Sequence, residues 1–500
     1  MSSLLHNLVH YPKLFQMIFV LGIGGTFQCG IQISVLSSPS PFIKAFLNET
    51  WLDRYGSSMP KGSLTLLWSL IVSAFSIGGF FGALVSGPLI GRHGKRTCQV
   101  WNSVLPVLAS ILFACSKMAG SFEMILVVRF IFGFNSGLGM NIHTQYLAEI
   151  APRKLRGFTS VSCSFFVTLG KFCGQILGLR EVFGTDLMWP YVMGLCAVTS
   201  LVQFVTLPFL PESPPYLLME KQDEAGCMQA IQQLWGKGDH SREIEDMKKE
   251  KTAMKNTKVL GILDVLCDRS LRLQLYVMAV VMVALQLTGI SAVYFYSYDV
   301  FNKAGFSDDL ISYIVLGLGA CETSASVVGS FLIERFGRKC LILAAYGLII
   351  LDLVLLTLSL SLQASFPWLS YASAIFITLF SLLFGLGPSA VSLVICVEIF
   401  TQSSRAAALV IAGSINWMGL YLTGMVFPYV VSSLGPFCFL IFLAVAFFTV
   451  IFLYIFLPET KGKSVLEVAE EFYRSRSSWK QELSPEESSQ RQEQVMSTRL

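Results

Sequence analysis

Lys171, Glu322 and Asp352 are ionisable side chains set inside long apolar runs, and such groups are where an apolar chain should be searched for chemistry. An isolated charge in hydrocarbon costs on the order of several kcal/mol, so a lysine and a glutamate with no local partner are expected to find each other. We therefore expect Lys171 and Glu322 to pair within the apolar region, across two halves of the chain. Asp352 is expected to face a neighbouring helix and is given no role.

A second set of charges recurs. Gly91-Arg-His-Gly-Lys-Arg96 interrupts two apolar runs, and Glu334-Arg-Phe-Gly-Arg-Lys339 interrupts two more, with Gly94 and Gly337 in matching places. Glu149-Ile-Ala-Pro-Arg-Lys-Leu-Arg156 is echoed by Glu398-Ile-Phe-Thr-Gln-Ser-Ser-Arg405, each a glutamate followed by an arginine seven residues on. Pro211-Glu-Ser-Pro214 is echoed by Pro458-Glu-Thr-Lys461. The three displacements nearly coincide, which is the mark of a duplicated unit.

Composition says what must hold these charges. The chain has 500 residues, 54% hydrophobic and only 14% charged, with a mean hydropathy of +0.63. Soluble domains carry about 25% charged residues, so this chain belongs in a bilayer. A net charge of +4, confined to a few loops, does not indicate nucleic acid or an acidic macromolecule. The 12 cysteines are scattered singly, with no CxxC pair and no histidine–cysteine cluster, so neither a disulfide framework nor a metal site is indicated. No P-loop, kinase or hydrolase signature occurs, and no nucleophile has a base at workable spacing; no cofactor and no enzyme activity are expected.

Apolar runs long enough to cross the bilayer as helices, about 20 residues each, fall near 14–36, 65–90, 99–116, 122–148, 158–180, 189–209, 272–300, 310–333, 340–362, 368–397, 406–431 and 436–457. The expected fold is an all-α membrane protein of twelve transmembrane helices in two pseudo-symmetric six-helix bundles. Its parts are an N-terminus at 1–13, bundles at 14–210 and 271–458, a helical linker at 211–270 and a tail at 459–500. The first run is too long for a signal peptide and carries Gln28, Cys29 and Gln32 where a cleavage site would need small residues.

Basic residues accumulate in cytoplasmic loops. Arg92, Lys95 and Arg96, then Arg153, Lys154 and Arg156, then Arg335, Arg338 and Lys339, and finally Arg405 all fall on one side, together with the linker. Both termini are therefore assigned to the cytoplasm. The sequon Asn48-Glu-Thr50 falls on the other side, in a long first loop, as a glycan acceptor. Within the linker, Glu220 to Trp235 and Ser241 to Lys258 are expected to be short helices, and the Ser-, Glu- and Gln-rich tail beyond Lys463 is expected to be disordered. The terminal Thr498-Arg-Leu500 could add a strand to a PDZ-type groove, though an ordinary frayed end is the simpler account.

Arginines and glutamates repeated at the same ends of helices from both halves could form a latch that closes one mouth of the bundle without locking it. Topological anchoring explains the arginines but leaves the repeated glutamates unaccounted for.

GRHGKR, EIAPRKLRG, PESPPY, LQLTGISAVYFYS, ERFGRK and LPETKGK together resemble the facilitative glucose transporter (GLUT) family, sugar porters of the major facilitator superfamily, from about Lys13 to Val468. The resemblance implies alternating access around a central hexose site. It implies that Gln175, Gln286, Ser291, Glu322, Asn416 and Trp417 line that site, and that Lys95, Glu149, Arg156, Glu334, Arg338, Glu398 and Arg405 form the cytoplasmic salt-bridge gate. The neutral donors and acceptors of Gln175, Gln286 and Asn416, with the flat apolar face of Trp417, suit a neutral polyol.

The chain also departs from the pattern. The family's paired glutamines in span 7 are Leu285 and Gln286, its later asparagine is Ser291, and its Pro-x-Pro in span 10 is Ala390-Val-Ser392 followed by Leu393 where tryptophan is usual. Loss of that tryptophan resembles the class II branch, which includes fructose transporters, and loss of the prolines should leave span 10 less broken. Pro215 replaces an arginine of the latch, and Glu322 stands where the family generally has asparagine. The expected function is facilitated uniport of fructose or glucose across the plasma membrane, with the hexose and the bilayer as partners. The alternatives are proton-coupled symport, which in related porters uses an aspartate where this chain has Gln32, and a non-transporting sugar receptor.

Overall fold

A computed structural model of the protein describes residues 11–152, 156–236, 260–303, 305–363, 365–463 and 467–472, with 238, 244, 245, 247, 248 and 465 in addition; the side chains of 156–161, 219, 303, 308 and 402 are not among those described. Most of the second expected linker helix and the C-terminal Thr498-Arg-Leu500 lie outside these residues.

Among the described residues all regular elements are helices. The first half contains α1 (Pro12–Ser34), α2 (Ser40–Tyr55), α3 (Lys61–His93), α4 (Lys95–Met118), α5 (Phe122–Ile150), α6 (Arg156–Leu177) and α7 (Gly194–Thr206), the last flanked by single 3-10 turns. Short helices α8 (Pro214–Met219), α9 (Glu224–Trp235) and α10 (Ile262–Cys267) follow. The second half contains α11 (Arg272–Leu287), α12 (Ile290–Lys303), α13 (Asp308–Phe336), α14 (Arg338–Leu362), α15 (Leu369–Glu398), α16 (Gln402–Leu434) and α17 (Phe439–Phe456).

Ten described stretches are long and apolar enough to cross a membrane, and the last of them, Ser403–Phe456, runs for 54 residues. That is far more than the roughly 20 residues one crossing needs. Both of its ends lie beside Glu398, because Thr401 follows that residue closely and the Thr460 hydroxyl donates to its carboxylate at 2.5 Å. The stretch therefore doubles back, and it does so at Gly435–Cys438, where Gly435 has φ +55°. With the 22-residue α6, the count reaches twelve spans. The helix α2 fills what the sequence reads as a loop.

The repeated basic turns owe their shape to a carboxylate seated over a glycine. Gly94 and Gly337 have φ +83° and +89°, the left-handed side that side chains disfavour. A Cβ at Gly94 would lie 2.9 Å from the carboxylate of Glu212, and one at Gly337 would lie 2.6 Å from that of Glu459. The carboxylates use this approach to accept backbone amides at the next helix N-terminus. Glu212 takes Arg96 N–H at 3.1 Å, while Glu459 takes Arg338 and Lys339 N–H at 2.9 and 3.0 Å. Each half thus ties the end of its sixth span to the turn between its second and third.

Small residues close the rest of the packing. A Cβ at Gly133 would meet Phe75 O at 1.9 Å and one at Gly78 would meet Phe130 O at 2.1 Å, so α3 and α5 touch backbone to backbone. Between the halves, α16 lies along α3 and α13 lies along α6. Span 7 is broken between α11 and α12 at Gly289, φ +100°. Span 10 stays helical through one π turn at Gly385–Ser389, which contains Pro388. Trp235 of α9 donates its indole N–H to Ile150 O at 2.9 Å, fastening the linker beneath α5.

Burial alone would raise the Glu459 carboxyl, but the amides of Lys461, Arg338, Lys339 and Cys340 outweigh it and hold the group below its ordinary value of 4.5. Its contribution to stability is then full above pH 4.5 and is lost as pH falls through the depressed value. Thermal unfolding of the detergent-purified protein should show a midpoint that drops on acidification below 4.5. Glu459→Gln should lower the midpoint at neutral pH and flatten its acid dependence; a variant that follows the wild type at both pH values contradicts the clasp.

Candidate functional site

Lys171 and Gln175 stand four residues apart on α6, which puts them on one helix face. That face meets α13 of the other half. Lys171 Nζ lies 2.8 Å from Glu322 Oε1, with the two residues 7% and 1% exposed. The same ammonium sits 4.5 Å from the centroid of the Tyr294 ring on α12, so it is neutralised by a carboxylate and covered by a π face. Gln175 presses against Gly319 of α13, where a Cβ would come within 1.9 Å of its Oε1. Both polar atoms of the Gln175 side chain, and Glu322 Oε2, are buried without a hydrogen-bond partner among the described residues. Buried polar atoms in that state normally have a ligand or water to satisfy them.

A second polar group belongs to the other half. Gln286, at the end of α11, donates to Asn416 Oδ1 on α16 at 2.8 Å and accepts from the Ser291 hydroxyl on α12 at 2.6 Å. The break at Gly289 makes this possible, since it separates Gln286 from Ser291 by a turn that an unbroken helix would not make. Trp417, next to Asn416, is buried against the first half. Its ring lies 5.4 Å from that of Phe75, and a Cβ at Gly79 would meet it at 2.2 Å. Gln286 and Asn416 are half-buried, so they keep partial access to the space between the halves.

At the face that carries the basic turns, the expected latch residues assemble within each half. Lys95 Nζ is 2.8 Å from Glu149, which also accepts from the Ser213 hydroxyl. Arg338 holds Glu398 at 2.8 Å, and Glu334 approaches Arg338 at 3.5 Å. The sequence led us to expect these pairs to bridge the halves; the ones described join helices of one half, because the conformation leaves each glutamate nearest its own basic turn. Arg405 donates to Phe400 O at 3.2 Å. The Arg156 side chain lies outside the described set.

Arg129 is a fourth intramembrane charge, which the count of three omitted. It is 1% exposed on α5 and donates to Gln32 Oε1 at 2.7 Å and to Gln32 O at 2.9 Å, with Ile71 O and Val72 O at 3.3 and 3.4 Å. Every hydrogen-bond partner it has among the described residues is a neutral oxygen. The signal that could have found it is its setting, between Val127-Val128 and Phe130-Ile131. His143, also buried, shares a hydrogen bond of 2.9 Å with Thr26. Asp352 is buried on α14, with neither oxygen partnered among the described residues. Asn48 lies in α2 at the face opposite the basic turns, its Oδ1 accepting Met59 N–H at 3.1 Å.

Comparison with known proteins gives this arrangement its context. The sugar (and other) transporter family matches residues 17–472. Solute carrier family 2, facilitated glucose transporter member 11 of Homo sapiens is 39% identical over 470 residues, covering 94% of this chain and 95% of that protein. Member 9 of Mus musculus is 40% identical over 450 residues, covering 90% and 84%, and member 5 of Homo sapiens is 35% identical over 453 residues, covering 91% and 90%. Among solved structures, the major facilitator superfamily proton:xylose symporter XylE bound to 6-bromo-6-deoxy-D-glucose superposes with a TM-score of 0.76 at 21% identity, covering 92% of this chain and 99% of that one. XylE from E. coli in its inward open conformation gives 0.73 at 20%, covering 91% and 99%. With the family matched along nearly the whole membrane region and relatives this similar over nine-tenths of its length, the chain belongs to the sugar transporter family and is a multi-pass membrane protein.

Proposed function

We propose that the protein carries a hexose, D-fructose or D-glucose, down its gradient across the plasma membrane by alternating access. The basic face and both termini lie in the cytoplasm in this reading, and Asn48, on the other face, accepts a glycan. The observation that carries the proposal is the buried Gln175 amide, which lies where the halves meet with its oxygen and nitrogen both unsatisfied among the described residues. A polyol offers both a donor and an acceptor at every hydroxyl, and so matches an amide from either end.

Gln175, Gln286, Ser291, Glu322 and Asn416 supply the hydrogen-bonding groups of this site, and Trp417 supplies the apolar face on which a sugar ring stacks. The relatives are themselves named facilitated glucose transporters, which supports the same substrate class. Lys95, Glu149, Arg156, Glu334, Arg338, Glu398 and Arg405 form the cytoplasmic gate. Their pairs re-form across the halves when the inner mouth closes.

Uniport is favoured over proton coupling by the partner of Arg129. Gln32 neither carries a charge nor titrates, so among the described residues that guanidinium has no carboxylate whose protonation could release it. Purified protein in liposomes should show hexose counterflow, and an imposed pH gradient should leave the final internal hexose concentration at the external level. Accumulation above that level contradicts uniport, and absence of counterflow with both sugars contradicts transport.

The Lys171–Glu322 pair joins the halves beside this site. Removing one partner from a buried pair costs about 3–5 kcal/mol, so Lys171→Ala or Glu322→Ala should each lower stability and uptake severely. The exchanged pair K171E/E322K should recover more uptake than either K171E or E322K alone. Uptake no better than the single changes contradicts a paired role.

A further inference from the structure

The face opposite the basic turns carries a set of contacts that the family resemblance did not bring forward, and all of them run from one half to the other. Lys44 of α2 places its ammonium 3.1 and 3.0 Å from the two carboxylate oxygens of Asp299 on α12. Arg180, just past the end of α6, pairs with Asp309 in the first turn of α13. Its neighbour Glu181 accepts from the Tyr313 hydroxyl at 2.9 Å. Asp309 and Tyr313 are four residues apart, so one face of α13 receives both contacts. Beneath them the hydroxyls of Ser37 and Ser297 meet at 2.5 Å.

Geometry suits these groups to a reversible closure. The Lys44–Asp299 side chains are 25% and 41% exposed, and those of Arg180–Asp309 are 46% and 75% exposed. Water can take over each charge when the pair parts, so neither pair is trapped by desolvation as Lys171–Glu322 is. Lys44 also lies 5.2 Å from the centroid of the Trp68 ring on α3 of its own half. It therefore keeps a favourable contact after Asp299 leaves. A cavity of about 150 Å³ lies at this seam, lined in part by Ser38, Phe42, Gly178, Tyr298 and Ser312, residues drawn from both halves.

We propose that Lys44–Asp299, Arg180–Asp309 and Glu181–Tyr313 form an outer latch that must part for substrate to enter from that side, and that its strength sets how much of the protein stands open outward. The inference rests on the alternating-access reading and on the assignment of the basic face to the cytoplasm. The latch is the counterpart of the basic-face pairs, which in this conformation lie within the halves while these three outer contacts lie between them; two further outer pairs, Arg54–Glu123 and Lys117–Asp186, stay within the first half.

The test measures opening without using a sugar. Ser297→Cys, or Ser37→Cys should the first destabilise the protein, places a thiol directly under the latch. Its modification by a membrane-impermeant maleimide, added outside intact cells, is read by peptide mass spectrometry. Asp299→Asn and Asp309→Asn should each raise the labelling rate about 2–5-fold, the population shift that about 0.5–1 kcal/mol of an exposed pair produces. The exchanged pair K44D/D299K should bring the rate back toward that of the single-cysteine protein. Equal labelling rates in all of these proteins overturn the latch. Labelling only by a reagent confined to the cytoplasm overturns the assignment of faces. A shifted labelling rate in a protein that shows no hexose counterflow keeps the latch and removes the transport reading.

Discussion

Two charges that hydrocarbon does not tolerate alone, Lys171 and Glu322, reach each other only by spanning the boundary between the two halves. That constraint shapes the middle of the molecule. It draws α6 against α13, requires Gly319 so that Gln175 can lie flat on the opposing helix, and sets Tyr294 over the ammonium. A substrate site formed at this boundary is automatically shared, so any relative movement of the halves changes the number of groups a bound sugar can touch.

Such movement requires each half to behave as a unit. Glu212 and Glu459 provide this by accepting backbone amides at the start of α4 and α14 from the far end of their own halves. Backbone contact between α3 and α5 does the same within the membrane. Rigid halves and a polar seam divide the ion pairs into three kinds. Those described at the basic face are gathered within halves, the central one is buried between halves, and at the opposite face Lys44–Asp299 and Arg180–Asp309 run between halves while Arg54–Glu123 and Lys117–Asp186 stay within the first. A structure closed on one side and released on the other has this distribution.

Much of the fold was legible because duplication writes itself into turns. Gly94 and Gly337 had to be glycines, and Glu212 and Glu459 had to be carboxylates, so the same short words appear twice. The spans followed from length and hydropathy. The helix α2 did not, because Ser40–Tyr55 mixes Lys44, Glu49, Asp53 and Arg54 with apolar residues in no strong helical stripe and begins beside Pro39 and Pro41. The π turns in α1 and α15 leave no periodic trace in a uniformly apolar run. Of the site, Lys171 and Glu322 were visible because they stood out from hydrocarbon, a signal that Arg129 also carries and that was passed over there. The contact of Gln286 with Ser291 crosses the turn at Gly289, and its contact with Asn416 joins helices 130 residues apart; composition reveals neither. The outer pairs were invisible for another reason: Lys44 and Asp299 are 255 residues apart in ordinary polar surroundings, and no repeat flags them.

The central claim is that two rigid halves rock about one polar site, opening either face in turn. Electron–electron distance measurements on two doubly spin-labelled proteins test it most directly. One carries labels at Leu187 and Trp368, exposed at the ends of the two halves opposite the basic turns, and the other at Trp101 and Phe336, exposed toward the basic face. The account predicts that conditions which change the distance distribution at one face, such as addition of a hexose or Asp299→Asn, change it in the opposite sense at the other. Distances that lengthen or shorten together at both faces, or that move at one face alone, would contradict it.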